Sequence, residues 1–338
     1  MEDRRQMCSD LRIGGQAVME GVMMKGKEKY AVSVRKQDGS IITALFNSVS
    51  VTSKYRVLAL PILRGVVRFV ESMVIGMKTL TFSSDFFLEE DTKPEKKSGL
   101  GKWWQAHEAA ITMGFSVILG VILALGLFIF LPALIVQPLV DLIHSRLLLS
   151  LLEGIIRVAI FIGYIAAISR MKDIHRVFEY HGAEHKTINC LEDGNLLNPE
   201  NVLTYTRLNR RCGTSFLFLV MIISILFFAV IYVANPFLRM LFRILLIPVV
   251  AGVSYEVLMY SNRSHSALMR VVTWPGLMLQ KLTTQEPDAA EAETAIASTL
   301  AVLDAEGRLP EHLQADWERV RSQITLIDGD AEKGTDGK

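Results

Sequence analysis

The sequence predicts an α-helical integral membrane protein with about four transmembrane helices, a small N-terminal β-hairpin region and a C-terminal helical cytoplasmic tail. Of its 338 residues, 51% are hydrophobic, and the mean hydropathy of +0.33 is higher than soluble domains usually reach. Charged residues are concentrated in 1–110 and 261–338, whereas Leu, Ile, Val and Phe dominate the middle of the chain. That middle contains apolar stretches of about the length that crosses a bilayer.

Residues 1–55 are predicted to form a β-rich cytoplasmic region. Residues 30–34 alternate in polarity, residues 37–40 carry a turn signal, and residues 41–46 follow as a second strand. The glycine-containing segment 14–26 lacks the GKS or GKT ending of a phosphate-binding loop. We therefore expect it to be a structural strand and turn.

Residues 56–110 are predicted to form an amphipathic helix followed by a charged linker. The apolar stretch 56–82 contains four charged residues that share one helical face. They are Arg64, Arg68, Glu71 and Lys78. A helix of this kind lies along a membrane surface or packs on a neighbouring helix. The linker, residues 89–102, leads to Trp103 and Trp104, a pair typical of a membrane interface.

The transmembrane helices are predicted in two regions, 111–169 and 215–260, separated by a polar segment at 170–214. The four spans are residues 111–131, 148–168, 216–233 and 241–260. Within the second span, Glu153 and Arg157 lie one helical turn apart, so their charges can neutralise each other.

The distribution of Lys and Arg predicts the orientation. These residues are frequent in 170–214, before the first span and after the fourth span. The two opposite loops offer only Arg146, Arg239 and Arg243. Both termini and the polar segment are therefore predicted to be cytoplasmic. In the tail, residues 261–338, a helix is expected to begin at Pro287-Asp288 and to end near Gly307.

The polar segment contains the pattern H-x-x-E-H, formed by His181, Glu184 and His185. On a helix, two histidines four residues apart project from one face, with the glutamate beside them. Such a pair binds one divalent metal, most often zinc, and the carboxylate can serve as general base. The alternative is that both histidines are solvated loop residues, because Gly182 disfavours a helix interior.

A zinc site of this pattern needs a further protein ligand. The candidates are Glu256, His175, Cys190, Cys212 and Glu192. Glu256 is favoured because a carboxylate near the end of a membrane helix is costly without a partner, although it could instead pair with Arg211 or Arg263. Cys212 is either a soft metal ligand or activated thiol, or a small residue that lets helices approach closely.

Composition excludes several other classes of function. The net charge of +1 gives no basic field for nucleic acid. Three cysteines, Cys8, Cys190 and Cys212, are too few and too scattered for a disulfide framework. The sequence contains no G-x-S-x-G pattern to support a serine hydrolase triad. Its polar start predicts no cleaved secretory signal.

The chain resembles the YqhQ-type family of bacterial membrane proteins, a domain of unknown function described as predicted metal-dependent enzymes. The matching stretches are residues 13–24, 63–67, 179–187, 211–216, 251–256, 275–277 and 282–287. They occur in the expected order and cover about residues 11–305. Members usually carry a His-Pro pair where this chain has Asn209-Arg210. The resemblance implies a multi-pass protein of the bacterial cytoplasmic membrane and a metal-dependent enzyme.

The predicted function is a metal-dependent hydrolase at the cytoplasmic membrane face. His181 and His185 would hold the metal, Glu184 would be the catalytic base, and Glu256 or Cys212 would complete the site. Expected partners are the lipid bilayer, a membrane peptide or lipid-linked substrate, and a second copy of the chain in a homo-oligomer. The alternatives are a non-enzymatic membrane scaffold or assembly factor and, ranked last, a small transporter, because few charges are predicted near the membrane midplane.

Overall fold

The computed structural model describes residues 2–88, 100–230, 236–261 and 266–330. Most of the predicted charged linker therefore lies outside the described residues. The chain divides into two compact units. The first unit comprises residues 1–87, 166–220 and 245–338, and the second comprises residues 88–165 and 221–244.

A five-stranded sheet lies in the first unit, with its strands in the order β1-β2-β3-β4-β5. The strands are β1 (Gly14–Val18), β2 (Gly21–Lys25), β3 (Lys29–Arg35), β4 (Ile41–Asn47) and β5 (Ile324–Asp328). Neighbours are antiparallel, except that β4 and β5 run parallel. The predicted N-terminal β-region is confirmed.

The hairpin of β3 and β4 forms where the alternating pattern predicts it. Its turn is closed by the N–H of Lys36, which donates to Ser40 O at 2.9 Å, and Gly39 adopts a φ of +85°. That left-handed conformation favours glycine. On the strands, the hydroxyls of Ser33 and Thr43 form a hydrogen bond of 2.8 Å, so these buried polar groups are satisfied.

The fifth strand comes from the tail, for which only helix is predicted from the sequence. Ile324 pairs with Ile41 in a parallel register. A strand of five residues carries a weak local pattern, and its partner is nearly the whole chain away. Periodicity alone therefore does not reveal this pairing.

Thirteen α-helices lie in the described parts of the chain. They are α1 (Glu2–Ser9), α2 (Val51–Lys54), α3 (Leu63–Leu88), α4 (Leu100–Leu125), α5 (Leu131–Val136), α6 (Arg146–Ile168), α7 (Lys172–Glu192), α8 (Pro199–Thr204), α9 (Gly213–Val230), α10 (Pro236–Ser261), α11 (Ala267–Thr283), α12 (Ala289–Ala305) and α13 (Gln314–Arg321). A π-helical turn, Gly126–Phe130, joins α4 to α5, and 3-10 turns occupy Arg56–Ala59, Gln137–Leu139 and Glu311–Leu313.

Among the described residues, three helical stretches are long and apolar enough to cross a membrane: Gly114–Leu139, Leu147–Ile168 and Leu241–Ser261. The remaining predicted span, residues 216–233, corresponds to α9. Its apolar part, Gly213–Ala229, is shorter, and the last residues of the predicted span lie outside the described residues.

Helices of the first unit pack on both faces of the sheet. Met24 and Ala31 contribute to a core that includes Ile296 and Leu300 of α12 and several residues of α7. On the other face, a second core is completed by Ile75, Phe82 and Phe86 of α3. Helix α12 begins as the sequence predicts, with a capping box in which Asp288 and Glu291 each accept from the other's backbone N–H.

The second unit contains a buried ion cluster. Glu153 accepts from Arg157 at 2.9 Å, the pair expected from its spacing, and from Arg243 of α10 at 2.6 and 2.8 Å. The ring centroid of Phe228 lies 5.2 Å from Cζ of Arg157 and 5.1 Å from Cζ of Arg243. Arg243, grouped with a loop in the sequence-based orientation, is therefore a buried helix residue in this unit.

Candidate metal centre

The H-x-x-E-H pattern lies inside one continuous helix, α7, and Gly182 allows this helix to be buried. A Cβ atom at Gly182 would lie 1.9 Å from the carbonyl oxygen of Gln285. The N–H of Gln285 donates to Phe178 O at 2.8 Å, so the segment after α11 runs directly against α7. The alternative that both histidines are solvated loop residues is wrong, because both lie within α7 and His185 is fully buried.

The ring of His181 is oriented by a backbone carbonyl. Its Nδ1 lies 2.7 Å from the carbonyl oxygen of Thr283, the last residue of α11. A carbonyl oxygen can only accept, so Nδ1 carries the proton and Nε2 keeps its lone pair. That Nε2 atom lies 3.2 Å from Sγ of Cys212.

His185 is held in the same way. Its Nδ1 donates to the carbonyl oxygen of Arg207 at 2.6 Å, which again leaves Nε2 with a free lone pair. This Nε2 is buried and has no hydrogen-bond partner among the described residues. The rings of His181 and His185 have centroids 4.4 Å apart. A buried nitrogen without a partner is costly unless it has a ligand.

Cys212 supplies the third atom of the cluster. The ligand atoms of His181, His185 and Cys212 all lie within 4.8 Å of one another. Tetrahedral zinc, with bonds of about 2.0 Å to nitrogen and 2.3 Å to sulfur, places its ligand atoms roughly 3.5 Å apart. Small side-chain shifts would therefore bring the three atoms to zinc-binding distances.

The loop that carries Cys212 is fixed by a buried amide. Gln280 of α11 is fully buried, and its Oε1 accepts from Asn209 N at 2.9 Å. Its Nε2 donates to Asn209 O at 2.7 Å and to Ser215 Oγ at 2.9 Å. The backbone at Asn209 is thus locked to α11. At the start of α9, the N–H of Thr214 donates to Cys212 Sγ at 3.4 Å.

Glu184 lies beside the cluster. Its Oε2 is 3.9 Å from His181 Nε2, and its carboxylate accepts a hydrogen bond from the N–H of Gly15 in β1. Burial raises the pKa of Glu184 to about 7, whereas His181 and the Gly15 N–H act in the opposite direction. The expected structural role of the 14–26 segment therefore includes positioning this carboxylate.

Glu256 lies outside the three-residue cluster. Its Oε1 accepts from Arg64 Nε at 2.7 Å and from the N–H of Ile62 at 3.4 Å, and its Oε2 binds the same guanidinium. The sequence-based alternative was an ion pair with Arg211 or Arg263. Arg211 instead binds Glu192, and Arg263 lies outside the described residues.

The remaining candidate ligands have other contacts. His175 Nε2 lies 3.6 Å from a carboxylate oxygen of Glu179. Cys190 donates to Leu196 O at 3.5 Å, and burial raises the pKa of its thiol to about 12. The carboxylate of Glu192 faces Arg211. The structure thus brings together His181, His185 and Cys212 with Glu184 nearby.

Sequence reasoning missed several groups that support these side chains. They are the carbonyl groups of Thr283 and Arg207, the amide of Gln280 and the N–H of Gly15. Three of them are backbone groups, which every residue type except proline at its N–H carries, so the sequence does not reveal their role. A signal did exist for Gly15 and Thr283, because both lie in stretches that resemble the YqhQ-type family.

Comparison with known proteins identifies the family. A family model described as a protein of unknown function (DUF1385) matches residues 60–305. The chain is 32% identical over 314 residues to the uncharacterized protein YqhQ of Bacillus subtilis (strain 168). The aligned region covers 88% of this chain and 96% of the relative. No solved structure matches the chain. The chain therefore belongs to the DUF1385 family of proteins of unknown function, the YqhQ-type family that its sequence resembles.

Proposed function

We propose that this protein is a metal-dependent hydrolase of the bacterial cytoplasmic membrane. One observation carries the proposal: two histidine Nε2 atoms and one cysteine Sγ converge, and the buried Nε2 of His185 has no partner among the described residues. Both Nδ1 atoms are occupied by backbone carbonyls, so both lone pairs are available to one cation.

The donor set fits zinc better than a harder cation. Imidazole nitrogen and thiolate sulfur are preferred zinc ligands, whereas magnesium and calcium prefer oxygen. Histidine ligands of zinc usually donate their second ring N–H to a carboxylate or carbonyl, as His181 and His185 do here. Three protein ligands leave a fourth position open, which is typical of a catalytic centre.

Glu184 is suited to proton transfer in such a centre. When bound, a divalent cation supplies Lewis acidity and lowers the pKa of water. The carboxylate lies 3.9 Å from His181 Nε2, one of the proposed metal ligands, and is therefore next to the proposed reaction site. There it can take a proton from an attacking water and pass it to the leaving group. The N–H of Gly15 holds the carboxylate in place, and its burial keeps bulk water away.

The membrane setting is supported by three helices of spanning length among the described residues and by the distribution of Lys and Arg, with the shorter apolar helix α9 as the fourth crossing. This distribution favours a multi-pass protein with both termini and the metal centre on the cytoplasmic side. A substrate cleaved there would be a membrane peptide or a lipid-linked compound.

Metal analysis of detergent-purified protein tests the proposal. We expect wild type to retain one zinc per chain and the His181→Ala, His185→Ala double variant to lose it. His175→Ala is the matched control, because this histidine lies on the same helix but faces Glu179. Equal, near-zero metal in wild type and the double variant would refute the metal centre.

A second variant separates a metal centre from hydrolysis. Glu184→Gln is expected to retain zinc and to lose turnover of membrane peptides or lipid-linked substrates. A Glu184→Gln protein that fully restores the phenotype of a deletion strain would instead support a scaffold.

A further inference from the structure

Helix α11 exposes large apolar side chains and buries polar ones next to Leu279. Its inward side holds the buried polar residues Gln280 and Thr283, which support the metal centre. Its outward side carries Leu268, Val271 and Trp274, which are 60% to 70% exposed. A helix in water buries its apolar side and exposes its polar side. The pattern of α11 is that of a helix whose outer surface contacts lipid.

The position of α11 along its neighbours supports this environment. Gly276 packs against Ser215, and a Cβ atom there would lie 3.0 Å from Ser215 Cα. Ser215 is two residues into α9, so this contact lies about 3 Å from the start of that apolar helix. Ala267, the first residue of α11, follows closely after Ser261, where the candidate span of α10 ends. Both constraints place α11 at the ends of apolar helices.

A second apolar segment lies alongside α10. We call residues 56–63, between α2 and the first turn of α3, the elbow. A Cβ atom at Gly252 would lie 2.5 Å from Ile62 Cγ2. Gly252 lies nine residues before Ser261, which is about 14 Å into the candidate span. The elbow side chains Val57, Leu60 and Leu63 are nevertheless 44% to 66% exposed.

The elbow also accounts for Glu256. Ile62 adopts a left-handed φ of +69°, and its N–H donates to the Glu256 carboxylate, which also binds Arg64. Backbone polar groups at membrane depth must be satisfied within the protein. A carboxylate in an apolar helix that binds a turn and an arginine meets this need.

We propose that the outer surface of α11 and the elbow form a lipid-contacting surface, with α11 lying in the plane of the membrane interface. On the outward side of α11, Arg270 near one end and Lys281 near the other are both exposed. These cations match anionic lipid headgroups, and Trp274 between them is the residue type that anchors helices at this depth.

The placement also has a consequence for the substrate, which rests on the proposed function. Thr283 at the end of α11 orients His181. The metal centre would then lie at the bilayer surface, where it takes an amphiphilic substrate that stays anchored in the membrane.

Fluorescence quenching by brominated phosphatidylcholine tests the contact in proteoliposomes of the full chain. The chain has four tryptophans, so the reference variant is Trp103→Phe, Trp104→Phe, which keeps Trp274 and the buried Trp317. We expect brominated acyl chains to quench this variant several-fold more than the same variant with Trp274→Phe. Equal, weak quenching of the two proteins would overturn the proposal, as would protection of Trp274 by a second copy of the chain.

Two further proteins separate this inference from the proposed function. Leu245→Trp in the Trp103→Phe, Trp104→Phe, Trp274→Phe background reports on α10, where Leu245 is 62% exposed. Strong quenching there with none at Trp274 would refute the lipid contact and leave membrane insertion standing. Quenching of Trp274 that persists in the His181→Ala, His185→Ala variant would show lipid contact irrespective of metal binding.

Discussion

The backbone N–H of Gly15 donates a hydrogen bond to the buried carboxylate of Glu184, which joins the first strand of the sheet to the helix that carries both histidines. The contact is close enough to require glycine. A Cβ atom at Gly15 would lie 2.8 Å from Glu184 Cγ and 2.8 Å from Met23 O. At the neighbouring Gly14, no atom lies within 4 Å of such a Cβ.

The two glycines form a matched pair of variants. Gly15→Ala should lower the free energy of unfolding by about 1–3 kcal/mol, because the added methyl group must displace Glu184 or the strand backbone. Gly14→Ala should be close to neutral. Chemical denaturation in detergent micelles measures both values, and equal stabilities of the two variants would show that Gly15 does not constrain Glu184.

Cobalt spectroscopy distinguishes Cys212 from the other cysteines. Cobalt-loaded wild type should show thiolate-to-metal charge-transfer absorption in the near ultraviolet, and Cys212→Ser should abolish it. Cys190→Ser should leave it intact, because this buried thiol donates to Leu196 O and its pKa is raised to about 12. A charge-transfer band that survives in Cys212→Ser would exclude Cys212 as a ligand.

The pH dependence of stability tests the role of Glu306 at the end of α12. Burial acts to raise the pKa of its carboxyl, but the N–H groups of Glu28 and Lys29 and the guanidinium of Arg308 outweigh burial and lower it. An acid with a lowered pKa in the folded state stabilises the protein above its ordinary pKa, and this stabilisation is lost as the pH falls.

Glu306→Gln should therefore cost about 1–2 kcal/mol at neutral pH, from hydrogen bonds to a charged acceptor. The difference from wild type should shrink as the pH falls from about 5 towards and below the lowered pKa. Denaturation at a series of pH values measures it, with the exposed Glu311→Gln as control. A difference that stays constant with pH would contradict the assignment.

The buried ion cluster of the second unit makes Glu153 more important than an ordinary surface carboxylate. Glu153→Gln leaves Arg157 and Arg243 without this shared carboxylate and should cost about 3–5 kcal/mol. The comparison is Glu293→Gln, which breaks the partly exposed pair with Arg35 and should cost no more than about 1 kcal/mol. Similar losses in the two variants would show that the cluster does not stabilise the unit.

Local patterns in the sequence were sufficient where structure depends on neighbouring residues. The β3–β4 hairpin follows from alternation around a turn, and α12 begins at its predicted cap. The spacing of His181 and His185 also predicts that their rings share a face, which their centroid separation of 4.4 Å shows.

Long-range partners were not accessible in this way. The positions of Thr283, Arg207 and Cys212 around the two histidines depend on segments that meet only in the folded chain. For the same reason, the ion pair of Glu256 with Arg64 could not be told from a role in metal binding by local sequence. Residue type predicts that a buried carboxylate needs a partner, but not which partner it finds.

The parallel pairing of β5 with β4, together with the packing of α12 on the sheet, has a consequence for biosynthesis. Strands β1 to β4 leave the ribosome first, yet the helix that covers Met24 and Ala31 emerges only after the three candidate spans of the described residues have been made. One apolar face of the nascent sheet therefore stays uncovered while the rest of the chain is translated. A chain with such an exposed apolar face is prone to misassembly. Folding of the N-terminal region is thus coupled to completion of the polypeptide, and a ribosome stalled before α12 would present a substrate for chaperones and proteases.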